Sequence, residues 1–295
     1  MSGRYAPTPT AGLHLGNLRT ALVAWLFARS TGRQFKLRIE DLDRDRIQAA
    51  GDIAAAQIAE LAALGIDFDG EAVWQSARLG VYQAVADSLA ERSYECYCTR
   101  REIAESASAP HWDGYRRYPG TCRDLTAAER AERRAVRPPA LRIRADNARQ
   151  LVHDHWAGAV EAEVDDFVIR RNDGVWAYNF AVVVDDIAQG VDQVVRGADL
   201  LSSAPRQAWL TSILGGSIPE YAHVPLVIDQ QGNRLAKRDR PITLTELAAI
   251  GVTPAQVLTM LGNSLALCGP AERVTTSTLL PRFDPDSVPR EPWIY

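Results

Sequence analysis

Within NLRTALVAWLFARSTG (17–32), Leu18, Leu22, Trp25 and Leu26 recur at helical spacing, and Gly32 supplies a stop. GRYA before this run is short and strand-like, and FKLRIED after it predicts a second strand. Strand, helix and strand in that order predict a right-handed βαβ unit with parallel strands. Helical patterns follow at about 51–64 and 79–92, with a short apolar VW at 73–74 between them, so the first part reads as α/β. The rhythm breaks from Tyr94 to Pro139, a stretch rich in Arg, Ser, Pro and Tyr that reads as an inserted subdomain. ALRIRAD and DDFVIRR then predict strands, and NDG after the second favours a tight turn. FAVVVDDIAQG is apolar and bounded by acids, and QVVRG predicts another strand. A helix is expected across 201–214 and a strand in HVPLVID. Two helical stretches, TLTELAAIG and PAQVLTMLGNSLAL, precede a Pro-rich end. The expected organisation is therefore 1–93 and 140–242 as two halves of one α/β domain, 94–139 as the insertion, and 243–295 as a short helical tail.

At 295 residues the chain is long enough for one large or two smaller domains. Apolar residues make up 46% and charged residues 24%, a globular composition, and no apolar run approaches the roughly 20 residues needed to span a bilayer. No basic stretch, apolar core and cleavage site mark the N-terminus as a secretion signal, so a cytoplasmic protein is expected. A net charge of −4 and a pI near 5.8 exclude a protein coated in positive charge for nucleic acid. RNA contact would have to use a local patch, such as the arginines between Arg116 and Arg149, which also read simply as a solvated surface.

The segment YAPTPTAGLHLGN (5–17) carries the first candidate chemistry. A Gly-containing turn feeding a helix N-terminus leaves backbone N–H groups without partners inside the helix, and the helix dipole adds positive charge there. Phosphate is the favoured guest of such a site, and His14 could donate to a phosphoryl oxygen whose charge grows during reaction. The plainer reading is a proline-stiffened connection with a surface histidine.

Four cysteines are present. Cys96, Cys98 and Cys122 are clustered and Cys268 is remote, a pattern that suits metal better than disulfides. Structural zinc takes four ligands, and on spacing alone Cys268 and His111 are candidates for the fourth. Three reduced, metal-free cysteines are the alternative.

R-Y-A-P-T-P-T-x-G-L-H-L-G-N resembles the N-terminal signature of class I aminoacyl-tRNA synthetases, in the glutamyl/glutaminyl branch, with His14-Leu15-Gly16-Asn17 as the HIGH-type tetrapeptide. RIEDLD (38–43) resembles the family's second signature. GNRLAKR (232–238) resembles its KMSKS-type loop, with Arg234 and Ala236 in place of a lysine and a serine and with Lys237 retained. The resemblance implies a Rossmann-type parallel sheet. It places glutamate against Arg4, Tyr5, Ala6, Pro7, Thr8 and Glu40, with Arg4 at a carboxylate. AYNFAVVVDD and VVRGADL add Tyr178 and Arg196, the latter at the substrate side-chain carboxylate. His14, Gly16, Asn17 and Lys237 would hold ATP, with His14 and Lys237 catalytic and Mg2+ accompanying the nucleotide. Glu40 alone also reads as a solvated strand-end acid, and Asp185 and Asp186 as structural or helix-capping residues.

C-x-C followed by Y-x-x-x-C resembles the metal-binding pattern of short glutamyl-synthetase relatives. It implies a structural Zn2+ on Cys96, Cys98, Tyr118 and Cys122, with Tyr115 competing for the tyrosine position. Residues 239–295 leave no room for an anticodon-binding domain, so the chain most resembles the truncated glutamyl-Q tRNA(Asp) synthetase family. That family forms glutamyl-adenylate without tRNA and attaches glutamate to the queuosine base at the wobble position of tRNA(Asp). The expected partners are ATP, L-glutamate and the anticodon loop of tRNA(Asp), with the protein a monomer. The alternatives are a truncated enzyme charging the 3′ end of tRNA(Glu) and a non-catalytic tRNA-binding module.

Overall fold

The structure, a computed structural model, describes residues 1–43, 50–106, 117–233 and 243–295. Strand β1 (Ser2–Tyr5), helix α1 (Leu15–Ser30) and strand β2 (Gln34–Ile39) form the expected parallel unit, with Arg4 opposite Lys36 and Tyr5 opposite Leu37. Helix α2 (Ala50–Ala63) leads to β3 (Val73–Trp74), which pairs parallel with β2, and α3 (Leu79–Ser88) follows. Strand β4 (Ser93–Cys96), α4 (Arg100–Ser106) and α5 (Ala127–Val136) follow, in the stretch that the sequence pattern reads as an insertion. Then come β5 (Ala140–Ile143), the hairpin β6 (Arg149–Asp154) and β7 (Gly158–Glu163), and β8 (Phe167–Arg170). Helix α6 (Tyr178–Ala188), β9 (Val191–Gly197), α7 (Ala204–Ile213), β10 (Glu220–Val224) and β11 (Val227–Ile228) follow. Helices α8 (Leu244–Ala249), α9 (Pro254–Ser264) and α10 (Thr276–Leu279) precede β12 (Trp293–Ile294), which pairs with β11.

Among the described residues the main sheet runs β3-β2-β1-β9-β10-β6-β7 and is parallel except for the β6–β7 hairpin. A separate antiparallel sheet, β4-β5-β8, joins the insertion to strands that the sequence pattern assigns to the second half of the α/β domain. The NDG turn is present: Gly174 has φ +85°, and the Arg171 N–H donates to the Val175 carbonyl.

Helix α1 is the axis of the core. Every residue from 21 to 28 is buried, so the stripe read from Leu18, Leu22, Trp25 and Leu26 is one side of a helix apolar all round. It packs against β1 and β9 on one side and α9 on the other. A Cβ at Gly3 would lie 2.9 Å from the Ala28 Cβ, so glycine lets strand and helix touch. Several elements are not apparent from the pattern, among them α6 and the hairpin β6–β7. FAVVVDDIAQG forms most of α6 despite three successive valines, because burial of Phe180 through Val184 overrides the β-preference of branched side chains. The hairpin β6–β7 extends the main sheet through β10, where Tyr221 faces Asp154.

Candidate active site

A cavity of about 620 Å3 opens at the carboxyl ends of β1, β2 and β9. The chain leaves β1 towards β2 on one side and leaves β9 towards β10 on the other, so the cavity lies at the sheet's switch point, where ligands bind in open α/β sheets. Arg4 through Thr8, His14, Gly16, Asn17, Glu40, Tyr178 and Arg196 all line it. Lys237, with Arg234, Leu235, Ala236 and Arg238, lies outside the described residues, as do His111 and Tyr115.

The loop between β1 and α1 is held from α2. The Gln57 side-chain amide donates to the carbonyls of Thr8 (3.2 Å) and Ala11 (2.7 Å), and the Leu13 N–H donates to Glu60 (2.8 Å). The prolines stiffen the loop, but these bonds fix its register, and the sequence reading missed both residues.

His14 is the N-cap of α1. Its Nδ1 accepts from the backbone N–H of Gly16 (3.0 Å) and Asn17 (3.2 Å), while Asn17 Oδ1 accepts from the His14 N–H (3.4 Å). This corrects the expectation of open amides at the helix start, because the imidazole already satisfies two of them. With Nδ1 accepting, the neutral ring carries its proton on Nε2. An isolated bridge joins His14 to Thr243, the first described residue after 234–242.

The carboxylates around β2 form a buried network. Arg38 is fully buried and meets Asp186 (2.6 Å), Gln189 (2.9 Å) and Glu40 (3.3 Å). Arg4 meets Asp186 (3.4 Å) and the Val195 carbonyl (3.2 Å). Burial raises the Glu40 carboxyl above its ordinary value, and Arg38 and Arg4 offset this only in part. Burial acts on Asp186 in the same direction, but the two guanidiniums outweigh it and hold that carboxyl below the usual range. Asp185 is fully buried and accepts from Gln75, Tyr82 and Arg78. Neither acid caps a helix; both neutralise arginines. Arg38 was legible in principle, since Arg38 and Glu40 share a strand face.

Arg196 differs from Arg4 and Arg38. It is 5% exposed and lies in the cavity wall, yet its three partners are neutral: His223 Nε2 (2.9 Å), Gln207 Oε1 (2.6 Å) and the Leu200 carbonyl (3.2 Å). Among the described residues no carboxylate stands within ion-pair distance of it. Two of its five N–H donors remain, one on each terminal nitrogen, which is the number a carboxylate takes in a bidentate pair.

A second cavity, of about 1270 Å3, shares Thr8, Glu40 and Tyr178 with the first and reaches Cys96, Cys98 and Tyr118. The ligating atoms of Cys96, Cys98 and Cys122 lie within 4.8 Å of one another, and Cys98 Sγ is 3.6 Å from Cys122 Sγ. Tetrahedral zinc with bonds of about 2.3 Å requires sulfur separations of about 3.8 Å, so the cluster fits a metal ion. Tyr118 Oη is 3.4 Å from Cys96 Sγ and 3.8 Å from Cys98 Sγ, while Cys268 packs instead beside α9, near the Thr259 carbonyl. Hydrogen bonds from Cys122 and Cys98, with the Arg142 charge, hold the Cys96 thiol well below its ordinary value. The Arg142 guanidinium lies 3.7 Å from the centre of the Tyr118 ring.

Residues 1–270 match the family model of the catalytic domain of class I tRNA synthetases (E and Q). The chain is 55% identical over 296 residues to the glutamyl-Q tRNA(Asp) synthetase of Nocardia farcinica, covering 99% of this chain and 92% of that one. It is 51% identical to the protein of that name from Cutibacterium acnes, covering 95% of this chain and 81% of that one. The fold superposes on a glutamate tRNA ligase from Elizabethkingia meningosepticum with TM-score 0.81 at 24% identity, covering 99% of this chain and 66% of that one. The protein thus has the α/β class I synthetase fold, and it belongs to the glutamyl-Q tRNA(Asp) synthetase family of class I tRNA synthetases.

Proposed function

We propose that this protein activates L-glutamate with ATP and transfers it to the queuosine base at the wobble position of tRNA(Asp), in the cytoplasm and as a monomer. The observation that carries the reading is Arg196, a buried cation in the cavity wall with neutral partners and two N–H donors left for a substrate side-chain carboxylate. Glu40 takes the α-amino group, and Arg4 through Thr8 and Tyr178 enclose the amino acid. An oxygen of the glutamate α-carboxylate attacks the α-phosphorus of ATP. The new C–O–P linkage forms as the bond to the bridging oxygen breaks, and pyrophosphate leaves with that electron pair.

Little covalent chemistry falls to the protein, so placement and charge neutralisation carry the rate. His14 donates from Nε2 to the phosphoryl oxygen gaining charge, Gly16 and Asn17 seat the nucleotide at the helix start, and Lys237 neutralises the β/γ-phosphates. Mg2+ accompanies ATP and spreads the phosphate charge. The second cavity, carrying Arg100, Arg137 and Arg171, is the approach for the RNA nucleotide. Cys96, Cys98, Cys122 and Tyr118 hold a structural Zn2+ that staples the insertion.

Labelled glutamate and ATP are expected to give glutamyl-adenylate without tRNA, and transfer is expected to require queuosine-containing tRNA(Asp). Equal transfer to tRNA(Asp) lacking queuosine would overturn the acceptor, and charging of the 3′ end of tRNA(Glu) would replace it. Absence of any glutamate-dependent pyrophosphate exchange would leave a non-catalytic tRNA-binding module.

A Cβ at Gly16 would lie 2.9 Å from His14 Cε1 and 3.1 Å from Nδ1. Gly16→Ala is therefore expected to displace the imidazole and lower the exchange kcat about 100-fold, the scale of losing one transition-state donor. Unfolding temperature should hold, since alanine suits a helix. Unchanged kcat in this variant would remove the imidazole from the reaction.

A further inference from the structure

Arg196 stands at one end of a buried relay that runs behind the cavity wall. Strand register builds it: Arg196 on β9 lies directly opposite His223 on β10, and Tyr221 on β10 lies opposite Asp154 at the end of β6. Arg196 Nε donates to His223 Nε2 at 2.9 Å, and His223 Nδ1 meets Asp154 Oδ2 at 2.6 Å. Asp154 Oδ1 accepts from the backbone N–H groups of Trp156 (3.0 Å) and Ala157 (2.8 Å). His223 and Asp154 are 3% and 4% exposed. On the other side Gln207 accepts from Arg196 and donates to Asn179 (2.9 Å), which fixes its amide.

The arrangement leaves one proton placement. Arg196 cannot accept a hydrogen bond, so His223 must present a bare Nε2 to it, and its proton must sit on Nδ1 facing Asp154. The carboxylate enforces this tautomer and stays ionised: burial opposes its charge, but His223 and the two backbone donors outweigh that and lower its pKa. Burial, reinforced by the nearby Arg196 charge, keeps the imidazole pKa below its ordinary value, so near neutral pH the ring is an acceptor and adds no positive charge behind Arg196.

We propose that Asp154 and His223 are positioning residues that hold the Arg196 guanidinium in a single orientation towards the cavity and thereby set selectivity for a side-chain carboxylate over a carboxamide. A carboxylate offers two acceptors to the remaining N–H pair. A carboxamide offers one acceptor and an NH2 group that opposes a donor, provided that the fork cannot turn to avoid it. This inference rests on Arg196 meeting the glutamate side chain.

Asp154→Asn tests it with almost no change in shape. The two backbone amides claim the side-chain oxygen of the asparagine, which turns its NH2 group to His223 Nδ1. The imidazole proton then moves to Nε2 and confronts the Arg196 Nε–H. Glutamate-dependent pyrophosphate exchange without tRNA is expected to show a glutamate KM raised about 10- to 100-fold, the scale of one hydrogen bond to a charged group. The kcat and the KM for ATP should stay within about twofold, and the glutamate-to-glutamine ratio of kcat/KM should fall. His223→Phe should act in the same way, and His223→Gln, which restores an acceptor, should recover part of the loss. A glutamate KM within twofold of the parent in both Asp154→Asn and His223→Phe, with thermal unfolding retained, overturns the relay. If Arg196→Ala also leaves the glutamate KM unchanged, the error lies in the assignment of Arg196 itself.

Discussion

Arg196→Ala is expected to cripple glutamate-dependent pyrophosphate exchange, through a greatly raised glutamate KM, while the protein remains folded. Arg196 lines the cavity, has no carboxylate partner among the described residues and retains two N–H donors. Removing one partner of a buried, hydrogen-bonded charge pair costs about 2–5 kcal/mol, which corresponds to roughly a 30- to 5,000-fold rise in the glutamate KM. Arg196→Lys should not rescue, because a point charge lacks the fork that grips a carboxylate and cannot keep both His223 and Gln207 bonded. The fold should survive: the acceptors left behind, His223 Nε2 and Gln207 Oε1, cost about 1–3 kcal/mol each if dry, and the cavity admits water to them. Near-normal exchange in Arg196→Ala would take the residue out of the site.

Metal removal has the second large expected effect. Among the described residues the apolar cluster around the cysteines is small, with Tyr94, Cys96, Tyr97, Tyr118, Cys122 and Leu125 as its buried members, and half of these belong to the ligand set or its tyrosine. So little apolar burial stabilises weakly, whereas structural zinc in small peptides contributes about 10–16 kcal/mol of apparent folding energy. Purified protein is expected to contain one zinc per chain. Cys98→Ser, Cys122→Ser or a strong chelator should lower the unfolding temperature and impair transfer to tRNA more than adenylate formation, because the first cavity is built from the parallel sheet. Tyr118→Phe should weaken zinc retention less than either serine variant, measured by competition with a chromophoric chelator. Zinc content well below one per chain, with unfolding insensitive to chelator, would leave three reduced cysteines as the correct description.

Most of the parallel scaffold was legible because its signals are local. Helical spacing in 17–32, the strand-like runs on either side and the stop at Gly32 each depend on a few neighbouring residues, and the βαβ order follows from them. FAVVVDDIAQG was not legible as a helix, since its valines argue locally for a strand and only burial against other elements decides otherwise. The split of the antiparallel strands between two sheets was equally hidden, because β5 and β8 share their alternation with strands of the main sheet and are sorted only by what they pair with.

Which side chains reach the cavity was legible through the resemblance of two motifs: it implied a shared site for Arg4 through Thr8, His14 and Glu40, and all of these line the cavity. The sequence by itself determined the cysteine cluster, through C-x-C and a third cysteine nearby. It did not determine charge state or orientation. Arg4, Arg38 and Arg196 all lie on strands of the main sheet, yet the tertiary structure gives the first two Asp186 as a counter-ion and gives Arg196 only neutral acceptors. The reason is distance along the chain. The partners come from α6, α7 and β10, brought to the cavity by strand order and register, and an arginine's electrostatic role is set by what folding places beside it.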